Sequence, residues 1–288
     1  MFQVASHPSA FGLHQHGQFP PAGHFQSPAV KLPRNLARPS FVDISRDAIL
    51  AVAPELESVP TEYIRRGLRP KANMMLAGNA ALSSSYLPGS LSRSQLHSTM
   101  TVPVRAASSE KPEFPTHILA LSSSTSAASD QVRLFPVHSL VLASHCARLP
   151  RLPPSQASGS SSQLTLPVLT MSVPSPAAFA VLHQYMYHHR LDTVLKALFP
   201  LPANFLQSVS HHTIQATLSS EPTLRQLSSY LCASASSNLQ TLTSHAAHVK
   251  ELWQDMAALG LFDPELWDTI DLAWEIVLGA LNLAAAGN

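Results

Sequence analysis

The sequence predicts an α+β fold: a small sheet with packed helices in the middle, a short helical element before it and a helical hairpin after it. Three patterns predict this. Period-two runs mark strands in residues 116–137 and again at 164–171. Helical spacing takes over at 138–149 and from 176 onward. Two long apolar stripes, 239–256 and 267–281, close the chain. Period two places alternate side chains on opposite faces of a sheet, whereas a period near 3.6 lines one face of a helix.

Residues 1–40 are rich in Pro, His, Gln and Gly and show no hydrophobic period, so a disordered tail is expected. Residues 41–82 tighten into a short helical element. Asp43 or Ser45 offers a cap for a helix through Ala48, Ile49 and Val52 that ends before Pro54. A second helix runs over 59–68 with Pro60 in its first turn, and Met74, Met75 and Leu76 continue the apolar face. Residues 83–112 are Ser-rich and contain proline, and are expected to be a linker.

The segment 113–202 is the predicted core. Thr116–Ser122 and Gln131–Val137 form a strand pair, and His138–Leu149 is the first core helix, stopped by Pro150. Leu164–Met171 is the third strand and is expected at an edge, because Pro167 cannot donate to a ladder. Ser175–Pro176 opens a helix as hydroxyl cap and first-turn proline, with Phe179, Leu182, Tyr185 and Met186 as its buried stripe. Another helix runs from Leu191 to Phe199.

Residues 203–288 form a helical extension, with pieces at 205–209 and 224–231. In the final hairpin, Asn238 caps the first helix and Gly260 sits where a helix ends. Asp263–Pro264 starts the second helix. The four-residue connection makes the pair antiparallel.

Composition narrows the function. The chain has 288 residues, of which 45% are hydrophobic, enough for a real core, and only 12% are charged. A net charge of +1 argues against non-specific nucleic-acid binding, since the densest basic cluster is only Arg65, Arg66, Arg69 and Lys71. Cys146 and Cys232 stand apart, which fits a reducing compartment and no disulfide framework. The N-terminus lacks the pattern of a signal peptide and no run of about 18 apolar residues is present, so no membrane partner is expected.

Chemistry is sparse. His245 and His248 share a helix face, but no metal set is expected. His145 and Cys146 are sequence neighbours that diverge on a helix, so they do not form a base and nucleophile pair. Glycine-rich phosphate loops are absent. Catalytic residues, cofactor and metal are therefore all expected to be none. Trp253, Trp267 and Trp274 are the candidates for a partner surface, because tryptophan is enriched at binding hot spots. Their other role is packing within the hairpin.

Two resemblances follow. Phe135-Pro-Val-His-Ser-Leu-Val-Leu-Ala-Ser144 and Pro176-Ala-Ala-Phe179, with Leu182, Tyr185, Met186 and Tyr187, are similar to the BTB/POZ core. That resemblance implies a protein-interaction fold, with His138 bonding at the helix start, Leu142 and Phe179 in the core, and Tyr187 closing the later helix. It makes His138 and Tyr187 further candidate partner residues and leaves a homodimer open. Two places depart from the family: Leu149-Pro-Arg-Leu-Pro-Pro154 follows the first helix, and His188-His189 replaces the usual glycine after Tyr187.

Over the whole chain, Val59-Pro-Thr-Glu-Tyr-Ile-Arg65, Met75-Leu-Ala-Gly78, the 135–150 passage and the tryptophan hairpin resemble the clampless-type developmental regulators of basidiomycete fungi. This implies a non-enzymatic, intracellular regulator in nucleus or cytoplasm, acting in clamp-cell formation and dikaryon proliferation through mating-type transcription factors. A substrate adaptor of a cullin ubiquitin ligase is the alternative.

Overall fold

The computed structural model describes residues 32–105, 112–125, 130–153, 159–160 and 162–287. It is a mixed α+β fold in which helices outweigh a curled sheet. The tail expected over 1–40 lies outside the described residues up to 31, whereas residues 32–40 run along the C-terminal helices.

Three short helices come first: α1 (Arg46–Leu50), α2 (Thr61–Leu68) and α3 (Ala72–Ala80). Ser45 caps α1 by accepting the Ala48 N–H. Strands β1 (Ser90–Ser92) and β2 (Thr99–Pro103) follow, inside the stretch that the sequence assigns to a linker. Their runs are too short to show alternation above the serine background. The core proper is β3 (His117–Ser123), β4 (Gln131–Val137), α4 (Ser139–His145), β5 (Gly159–Ser160), β6 (Gln163–Val173) and α5 (Pro176–His188). The expected order of strand, strand, helix, strand, helix is present.

The strands lie in the order β1-β4-β3-β6-β2, with β5 added to β6. β3 is antiparallel to β4 and parallel to β6. β6 is not an edge strand. Residues 163–167 pair with β2, and residues 168–173 pair with β3. Pro167 sits at the handover, where a missing N–H interrupts neither ladder; the next residue, Val168, donates to the Ser98 carbonyl at 2.8 Å. The change of partner curls the sheet. As a result β3 faces two cores, with Leu119 and Leu121 toward the helices and Ile118 and Ala120 toward Val102, Leu164 and Leu166.

The first core helix ends earlier than its apolar spacing suggests. Cys146 leaves the helix and bridges to Leu261, while Ala147 and Arg148 donate to the carbonyls of Gly260 and Leu259 at 3.1 and 2.9 Å. A tertiary contact stops α4 before the prolines do.

The remaining helices are α6 (Leu191–Leu198), α7 (Ala203–Gln207), α8 (His211–Leu218), α9 (Glu221–Ser234), α10 (Leu239–Leu259) and α11 (Pro264–Ala286). Here α8 goes beyond the expected pieces, opened by Ser210 accepting the Thr213 N–H. The hairpin caps follow the sequence reading: Asn238 accepts from Thr241, and Asp263 accepts from Glu265 and Leu266. By length and composition α11 could cross a membrane, but in this fold it is a core helix that buries Leu266, Ile270, Ala273, Trp274 and Val277.

One buried carboxylate ties the sheet to the hairpin. Asp255 of α10 is fully buried and accepts the Ser175 N–H at 2.8 Å, while the Ser175 hydroxyl caps α5 and donates to Glu251. Burial pushes the Asp255 carboxyl up to about 7, although the Ser175 N–H pulls the other way.

Two predictions follow from these contacts. Gly260 has φ of +63°, and a Cβ there would lie 3.0 Å from Arg148 Cγ and 3.1 Å from Ala147 Cβ. Gly260→Ala should therefore cost about 2 kcal/mol, read as a lower urea midpoint. Asp255 binds its proton more tightly folded than unfolded, so its contribution falls as pH rises from about 4 through 7. Asp255→Asn keeps the acceptor and removes the charge. Relative to wild type, the variant should gain stability above pH 7, on the order of 4 kcal/mol, and little near pH 4; equal gains at both pH values would contradict the assignment.

A cleft between the N-terminal helices and the hairpin turn

Helix α2 and its C-cap residue Arg69 place Glu62, Arg65, Arg66 and Arg69 on one face, at helical intervals of three and four. They form one wall of a cleft of about 850 Å³. The opposite wall is the α10–α11 turn, with Phe262, Asp263, Pro264 and Glu265. His189 and His211 are at its base, and Phe41 to Ile44 close the side.

His189 is the key residue of the floor. It follows α5 in the left-handed conformation, φ +51°, the position where a glycine is favoured. The side chain it carries there is put to use. Arg69 Nη2 donates to His189 Nδ1 at 3.2 Å, because a guanidinium can only donate. His189 Nε2–H then donates to His145 Nε2 at 2.9 Å, and His145 Nδ1–H donates to the Val141 carbonyl at 2.8 Å. Burial, with His189 and Arg65 adding, pushes His145 down to about 3, so this ring is neutral. The α2 side of the cleft carries the guanidinium groups of Arg65, Arg66 and Arg69.

Asp263 serves both the turn and the cleft. Its Oδ1 caps α11, and its Oδ2 lies 3.6 Å from His189 Nδ1. Burial opposes its ionisation, yet the neighbouring His189 and Tyr185 side chains and the Leu266 N–H hold the carboxyl down at about 2. Arg65 fixes the wall by donating from Nε to the Ser144 carbonyl at 2.6 Å and from Nη1 to Glu62. Arg66 lies over the Tyr63 ring, 5.5 Å from its centre. Neither Arg66 nor Arg69 is paired with a carboxylate among the described residues. Phe41 and Val42 are exposed at the cleft, and Phe41 packs edge-on against Phe262.

The arrangement suits recognition more than bond breaking. The imidazoles are spent on each other, on Arg69 and on a backbone carbonyl. Cys146 points away from His145 toward Met186, and burial pushes its thiol up to about 12. Among the described residues no group of three or more His, Cys, Asp or Glu is placed to hold a metal, and His245 bonds the Leu198 carbonyl.

The sequence-chosen residues lie elsewhere. Trp267 and Trp274 are buried and Trp253 is half-buried. Their indole N–H groups donate to the carbonyls of Leu261, Pro33 and Ala37. His138 and Tyr187 are buried together. His138 Nε2–H donates to the Glu113 carbonyl, so Nδ1 accepts from the Tyr187 hydroxyl at 2.9 Å, and that hydroxyl accepts the His138 backbone N–H. The cap of α4 comes instead from Thr116, whose hydroxyl accepts the Ser139 N–H. The cleft residues escaped sequence reading because α2 and the hairpin turn are almost 200 positions apart. Their local signals, the basic cluster Arg65, Arg66 and Arg69, the Asp263 cap and a histidine at a glycine position, do not show that they meet.

The chain matches the Clampless protein 1 N-terminal domain over residues 39–174 and the Clampless protein 1 C-terminal domain over residues 192–288. Two curated relatives, both named Clampless protein 1, come from Cryptococcus neoformans var. neoformans serotype D strains JEC21 and B-3501A. Each is 26% identical over 133 residues, covering 46% of this chain and 24% of the relative. The chain thus spans about a quarter of the length of these relatives. No solved structure matches it. One wall of the cleft comes from each matched domain, and His189 lies between them. Both domains are present in order over most of the sequence, so the chain belongs to the clampless protein 1 family.

Proposed function

We propose that this protein is a non-enzymatic regulator of fungal sexual development that works by binding other proteins through the cleft between α2 and the α10–α11 turn. Mating-type transcription factors are its partners, clamp-cell formation and dikaryon proliferation its setting, and the nucleus and cytoplasm its place of action. The name carried by the matched domains supports the developmental setting. The strand, strand, helix, strand, helix order over 117–188 supports a BTB/POZ-like interaction core.

The observation that carries the binding reading is the cleft rim. It combines exposed Phe41 with Arg66 and Arg69, which have no carboxylate partner among the described residues. Aromatic residues and arginines dominate binding hot spots, and an arginine without an internal carboxylate keeps donors for a partner's carboxylate.

The double variant Arg66→Glu/Arg69→Glu tests this reading. Because Arg69 also donates to His189, the single variant Arg66→Glu, an exposed residue whose change should leave the thermal midpoint near that of wild type, is measured beside it. Capture of mating-type transcription factors by the full chain should weaken by about tenfold or more. In a clamp-forming strain that lacks its own copy, the variant should fail to restore clamp cells. Full restoration by the variant would remove the cleft from the mechanism, and normal clamps in the strain without any copy would remove the developmental role.

A further inference from the structure

Residues 32–38 cross the hairpin as an extended strap without helix or strand pairing of their own. Two tryptophan N–H groups hold its backbone, Trp274 at the Pro33 carbonyl (3.2 Å) and Trp253 at the Ala37 carbonyl (3.1 Å). Between them Leu36 is buried in the main core. Two arginines complete the set. Arg34 pairs with Glu275 at 2.9 Å, and Arg38 pairs with Asp268 at 2.5 Å and also with Asp271. Asp268, Asp271 and Glu275 recur at three- and four-residue steps along one face of α11.

This is how a groove reads a peptide. Backbone carbonyls are offered by any sequence, so the selective contacts are one apolar side chain and two cations four residues apart. The strap also falls outside both matched domains, the first of which begins at residue 39 and the second at residue 192. Its ion pairs are partly exposed, with Arg34 60% and Arg38 42% accessible, so each adds little in water.

We infer that the face of α10 and α11 built from Trp253, Trp274, Asp268, Asp271 and Glu275 is a peptide-recognition groove which the strap occupies in cis. Its external ligand is an extended basic segment of a partner protein, with two arginines flanking a leucine as in Arg34-Asn-Leu36-Ala-Arg38. A tethered segment acts at an effective concentration of about millimolar, so the strap keeps the groove closed to a free ligand at micromolar levels. Partner binding then requires strap release, which links residues 32–38 to access.

The test uses the full chain and a labelled peptide of sequence Leu-Pro-Arg-Asn-Leu-Ala-Arg-Pro-Ser-Phe. In the strap variant Arg34→Glu/Arg38→Glu the groove is unchanged while the strap is repelled by its three carboxylates. The variant should bind the peptide at least about tenfold more tightly than wild type. A peptide with glutamate at both arginine positions should not bind. Leu36→Ala releases the strap without touching charge and should shift affinity in the same direction. Circular dichroism confirms that each protein is folded. Folded variants that bind no more tightly than wild type, or that bind the glutamate peptide equally well, would overturn the inference.

Discussion

The α10–α11 turn can close against the end of α4 only because residue 260 is a glycine in the left-handed conformation, with no room for a Cβ beside Ala147 and Arg148. From that closure the rest is positioned. It ends α4 at His145, which keeps the imidazole within reach of His189. It sets Phe262 and Asp263 opposite α2, so that a backbone contact helps to fix one wall of the cleft. It also orients α11 so that its carboxylates face the strap.

The buried polar groups show how the molecule keeps charge out of its interior. His138, His145 and His183 are all depressed by burial, and each donates a proton to a backbone carbonyl. Neutral imidazole is a compact donor and acceptor, well suited to joining segments distant in sequence without desolvating an ion. Asp255 follows the same logic from the acidic side. In contrast, the ionised groups, Arg66, Arg69 and the strap arginines, stay at the surface, where a partner can meet them.

Much of the framework was legible because it is written locally. Ser45, Ser175, Asn238 and Asp263 are caps defined by one hydroxyl, amide or carboxylate and the next turn, and the hairpin stripes repeat often enough to be read. Pro167 was read correctly as a residue that cannot donate, but its remedy was a change of partner strand, which no local pattern encodes. β1 and β2 are three and five residues long and owe their pairing to longer neighbours. The indole N–H groups of Trp253, Trp267 and Trp274 all donate to backbone carbonyls of this chain. What occupies two of them is a segment of the same chain, set in a proline-rich stretch whose arginines and leucine have no period to announce them.

The strap has a consequence for how the protein is made. Pro33 meets Trp274 across 241 positions, so the segment leaves the ribosome long before the helix that receives it exists. During that interval Leu36 and the hydrophobic faces of α8, α9 and α10 have no α11 to cover them, and long-range closure of this kind is slow and prone to association. Folding of the helical half is therefore completed only after α11 has been made, and until then the nascent chain leaves that apolar surface uncovered.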